Sequence, residues 1–102
     1  MPAIIERCKE LEAQGDENLR EMNLLQVQRA LMWHRFHDFW DAQSKEFQTS
    51  DAGMELRQKY EGEDFEKERA INTKIQRKKL IEDELDAIVR LVRGFVAVIS
   101  KE

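Results

Sequence analysis

From about residue 3 to residue 48, large apolar side chains recur at steps of three, four or seven. They are Ile4, Cys8, Leu11, Leu19, Met22, Leu25, Met32, Phe36, Phe39, Trp40 and Phe47. This is the period of one helix face, with none of the alternation of a strand. Pro2 stands where proline suits a first helical turn. Gly15-Asp16 is the weak point: glycine costs about 1 kcal/mol against alanine inside a helix, and aspartate favours an N-cap. A continuous helix is favoured there, with a break near Gly15 as the alternative. Gln48–Gly53 carries cap-forming side chains, a glycine and no large apolar residue, which predicts a turn over 49–53. A second helix is predicted over about 54–100, on Leu56, Tyr60, Ile71, Ile75, Leu85, Ile88, Val92, Phe95 and Ile99. Gly62, among Glu61, Glu63 and Asp64, is a second place where it could bend.

A short connection favours antiparallel neighbours. The sequence therefore predicts an all-α fold, one long antiparallel helical hairpin forming a single domain over 1–102. With the turn centred near residue 51, position i should face about 102 − i. Ile4, Cys8 and Leu11 then oppose Leu91, Phe95, Val98 and Ile99, and Phe36 and Trp40 come level with Phe65 and Tyr60.

A lone hairpin needs one narrow apolar stripe on each helix, and both helices carry more. Val89, Leu91, Val96 and Val98 widen the second helix's apolar arc to roughly 180°. Leu24, Val27 and Leu31 form a patch more than about 100° from the first helix's main stripe. These seven residues are the candidate protein interface. Their surplus predicts a four-helix-bundle-like oligomer, most simply a homodimer. An obligate partner, or the N-terminal segment folded back, would be the alternative covers.

Composition narrows the reading. The chain is 41% hydrophobic and 37% charged, with four glycines and one proline, the balance of long solvated helices. A net charge of −4 gives no bulk attraction for nucleic acid or an anionic membrane. The single cysteine, Cys8, excludes an internal disulfide framework and fits a reducing compartment. No secretory signal is visible at the N-terminus. The most apolar stretch, Leu85–Ile99, is too short to span a bilayer and contains Arg90 and Arg93. A soluble, cytoplasmic protein is expected.

Candidate chemistry is sparse. His34 with Asp38 and His37 with Asp41 are i,i+4 pairs that could hold a divalent metal, but bundle sites need inward ligands from several helices. Outward surface pairing is the expectation, with a metal-binding bundle as the lesser alternative. Lys67, Lys74 and Lys78, with Arg77 nearby, could contact phosphates as a helical nucleic-acid binder. Acidic blocks flank them and no aromatic is interleaved, so a solvated face is expected instead. Trp33, Phe36, Phe39 and Trp40 read as core near the turn. Cys8 and the serines lack a local catalytic signature, and no phosphate loop or metal-binding Cys/His spacing is present. No enzyme activity and no cofactor is expected. Trp40-Asp41-Ala42 with Tyr60-x-x-x-Asp64 is faintly similar to small secreted WXG-type hairpin proteins. The tryptophan precedes the turn and alanine replaces the glycine, so no family is assigned. The expected role is a self-associating protein–protein interaction module, such as an adaptor, a small chaperone or an inhibitor of a larger protein.

Overall fold

The computed structural model describes residues 2–100. Three helices follow in order: α1 (Pro2–Asp41), α2 (Lys45–Thr49) and α3 (Asp51–Ser100). The fold is all-α, with no strand among the described residues. It is very elongated, 81 × 16 × 16 Å. Its radius of gyration is 22.9 Å, where a compact domain of this length has about 13 Å.

α1 continues through Gly15, so the alternative of a break there is not realised. A Cβ at Gly15 would meet Ile81 at an ordinary 3.8 Å, and its neighbours Leu11 and Asn18 are buried. The glycine therefore sits in a packed helix face, where tertiary contact outweighs its weak propensity.

The connection differs from the expected turn at 49–53. α1 stops at Asp41, and residues 42–44 and 50 are the only non-helical ones among those described. Ser44 caps α2, its hydroxyl oxygen accepting from the Phe47 amide at 3.2 Å. Ser50 caps α3, accepting from the Gly53 amide at 3.2 Å and donating to the Phe47 carbonyl at 2.5 Å. Gln48 reaches back to donate to the Trp40 carbonyl at 2.8 Å, one of the groups left over at the end of α1. Cap-forming residues mark helix starts as readily as stops; here Ser50 and Asp51 begin a helix. Phe47, expected on the first helix, lies in α2, edge-on to Phe39 and Trp40.

α1 and α3 lie side by side and run in opposite directions. Arg7 meets Glu84, Asn18 meets Lys74, Arg29 meets Asp64, and Phe36 stacks on Tyr60 at 4.2 Å. The expected register was too long: Asn18 should have faced residue 84 and lies at Lys74. The shift follows from the connection, which is centred several residues earlier than 51. One consequence is that Ile4 lies beside Leu91, Val92 and Phe95. α3, ten residues or roughly 15 Å of helix longer than α1 (50 against 40), runs past it, leaving Val98 and Ile99 exposed.

Covered positions on α1 keep alternating steps of three and four, Ile4, Cys8, Leu11, Gly15, Asn18, Met22, Leu25, Arg29, Met32 and Phe36, the spacing of a coiled-coil seam. The α3 side holds Leu56, Tyr60, Asp64, Lys67, Ile71, Lys74, Ile81, Leu85, Ile88 and Val92. Its middle is polar. Among the described residues, only Leu11, Met22, Ile71 and Ile81 are buried apolar side chains, alongside Asn18 at 2% exposure. Asn18 donates to the Lys74 carbonyl at 2.8 Å, and Arg29 grips Asp64 through two bonds of 2.8 and 3.1 Å. Partly exposed ion pairs contribute little stability each, but a buried amide and a forked guanidinium pair hold one register against others.

The packing at the connection and the ion pairs along the seam each have a measurable consequence. A Cβ at Gly53 would lie 2.1 Å from the Phe47 carbonyl oxygen, and that backbone atom cannot swing aside. Gly53→Ala should lower stability by about 1–3 kcal/mol, read as a lower denaturant midpoint. Hydrogen bonds from Arg29, Lys74 and Arg7 hold the Asp64, Glu21 and Glu84 carboxyls below the usual carboxylate range. A depressed carboxyl stabilises the fold above its unfolded value and loses that contribution as pH falls through its folded value. The thermal midpoint should stay level between about pH 8 and 5.5 and drop below about pH 4. Asp64→Asn should make that acid drop shallower.

Candidate protein-interaction surface

Leu24, Val27 and Leu31 fall on the side of α1 away from α3, and all three are exposed. Val89, Leu91, Val96 and Val98 are exposed along the last turns of α3. These are separate patches: the first lies mid-rod on α1, the second at the open end, where α1 begins and α3 finishes. At that end Ile4, Ile5, Cys8, Ile88, Val89 and Val92 line a shallow groove of about 650 Å³. Lys9, Glu12 and Arg93 stand on its rim.

The sequence reading missed several exposed apolar residues. Leu80 is 68% exposed, and Met54, Phe65 and Ile75 are also open. Ile75 was assigned to the seam, but that seam passes through Ile71 and Lys74 instead. The seam's polar members were missed as well. Asn18 and Arg29 sit at heptad spacing from Leu11, Met22, Leu25 and Met32, and that spacing was the available signal. Polar side chains at those positions hid it.

The basic candidates do not form a free face. The Lys67 ammonium donates to Gln28 at 2.9 Å, and Lys74 pairs with Glu21 across the seam. Both are half-buried, so the face they share is the one turned to α1. Arg77 is exposed, and Lys78, also exposed, lies 3.9 Å from Glu82.

Of the two surface pairs expected, His37 with Asp41 is present, although His37 is drawn partly inward. His37 is half-buried, its ring 4.4 Å from Trp33 and 6.3 Å from Tyr60. Its Nδ1 is 3.9 Å from an Asp41 oxygen, and His34 meets Trp33 edge-on. Among the described residues no three or more His, Cys, Asp or Glu side chains gather as a metal site. Six of the eight aromatic residues join into one cluster at the connected end, where Trp40 and Tyr60 both stack with Phe36. Burial there pushes the Tyr60 phenol up from its usual value. Trp33 and Phe39, expected in the core, keep about half their surface open.

No described helix is long and apolar enough to cross a membrane. Comparison of the chain with protein-family models, with curated proteins and with solved structures found no match.

Proposed function

We propose that the chain is a non-catalytic protein–protein interaction module, an antiparallel helical hairpin that self-associates into a four-helix-bundle-like oligomer. In that form it would serve as an adaptor, a small chaperone or an inhibitor of a larger protein. The observation that supports this reading is surface area. A compact protein of 12.1 kDa exposes about 6,000 Å², and this chain exposes 8213 Å². The excess, roughly 2,200 Å², is well above the ~800 Å² that each partner contributes to a standard interface. Much of it is oily: Leu24, Leu80, Leu91 and Val98 are all more than half exposed. Burying a large apolar side chain stabilises by about 1.5–3 kcal/mol, so covering several together is a strong drive to associate.

The alternative of a helical nucleic-acid binder is less well supported, because Lys67 and Lys74 are already engaged by Gln28 and Glu21. Sedimentation velocity over low-micromolar concentrations tests the proposal. The expected outcome is a species of about twice the chain mass or more, with monomer appearing on dilution. A helical monomer throughout that range would contradict self-association.

A further inference from the structure

Among the described residues, the three most exposed large apolar side chains are Leu80 at 68%, Leu91 at 65% and Val98 at 61%. They share one stripe of α3. With Ala87 and Gly94 between them, the positions 80, 87, 91, 94 and 98 follow heptad a/d spacing. This stripe lies roughly 120° around α3 from the seam facing α1. Its last four members alternate in size: Ala87, Leu91, Gly94, Val98.

Gly94 points to what covers the stripe. Glycine is less favourable than alanine inside a helix, and a Cβ at Gly94 would meet nothing within 4 Å. Nothing in the described chain requires the missing side chain. Gly62 is equally open, but it is set among Gln58, Phe65, Glu66 and Arg69, a mostly polar face. Gly94 lies between Leu91 and Val98, where a missing side chain lets another backbone come close.

We propose that the 87–98 part of this stripe is the contact surface for the same part of a second copy, the two α3 helices packed antiparallel about a two-fold axis between residues 92 and 93. In this pairing Gly94 of one copy faces Leu91 of the other, and Ala87 faces Val98. Symmetry repeats both contacts, so each small residue receives a large one. Parallel, in-register pairing sets Gly94 against Gly94 and Leu91 against Leu91, a void beside a crowded layer. The flanks agree with the antiparallel arrangement. Ile88 comes level with Phe95, and Arg90 with Ala97, so no like charges meet. The stripe's place roughly 120° from the seam keeps it clear of α1. Two chains of 81 Å would overlap only at their open ends and form a rod of about 140 Å.

The inference rests on the self-association proposed above and narrows it: the four helices lie side by side only where the open ends overlap, and Leu24, Val27, Leu31 and Leu80 stay outside this contact. Sedimentation equilibrium and solution X-ray scattering on the full chain test it, with Gly94→Leu and the double variant Leu91→Ala/Gly94→Leu. Leucine favours the helix and adds apolar surface, so unspecific association would tighten in Gly94→Leu. The antiparallel pairing instead sets the introduced leucine against Leu91 of the second copy and should weaken association by about tenfold or more. The double variant, with alanine facing leucine again, should recover to within a few-fold of the parent. A parent dimer close to 140 Å long supports the arrangement. A dimer nearer the single-chain length, a Gly94→Leu variant that associates as well or better, or a failed rescue would each overturn it while leaving self-association standing. A monomeric parent would overturn both.

Discussion

Asn18, Arg29, Asp64, Lys67 and Lys74 occupy positions along the line of contact between two long helices where a coiled coil ordinarily places apolar knobs. They meet across it in specific hydrogen bonds: Asn18 to a backbone carbonyl, Arg29 to both oxygens of Asp64, and Lys67 to Gln28. Such contacts choose a register more than they add stability, because each group gives up water to make its bond. The apolar part of the seam is correspondingly thin, with Leu11, Met22, Ile71 and Ile81 its buried side chains. The chain thus keeps α1 and α3 aligned with polar contacts and leaves many of its large apolar residues on other faces.

The apolar residues on those faces fall into groups. Six of the eight aromatic residues gather at the connected end, where Phe36 stacks with both Trp40 and Tyr60 and α2 closes over them with Phe47. That end is held by caps and by the close fit of Gly53 under the Phe47 carbonyl. At the open end no such closure is present among the described residues. There Ile4 and Cys8 meet Ile88 and Val92, and Leu91, Val96 and Val98 remain uncovered.

The all-α class was legible because Ile4, Leu11, Met22, Leu25, Met32 and Phe36 repeat at helical spacing with no alternating stretch to compete. The outward position of Leu24, Val27 and Leu31 was legible for the same reason: a wheel separates them from the main stripe. The register was not legible. It depends on where the chain turns, and Ser44 and Ser50 each offer a cap whose direction only tertiary contact decides. A reading that ranks positions by hydrophobicity also passes over a polar seam, so Asn18 and Arg29 go unremarked, Asp64 reads only as part of an acidic stretch, and Lys67 and Lys74 read as a solvated face. Gly15 was read as a weak point from propensity alone, whereas its place against Ile81 keeps it within a continuous helix.

If α1 and α3 together cannot cover the apolar surface of this chain, its folded state is stabilised by association. The dependence of the thermal unfolding midpoint on protein concentration tests this most directly, since a partner that binds only the folded form raises the midpoint by mass action. The midpoint should climb steadily across a hundredfold increase in concentration. A midpoint that stays fixed over that range, with unfolding still cooperative and reversible, would contradict stabilisation by association.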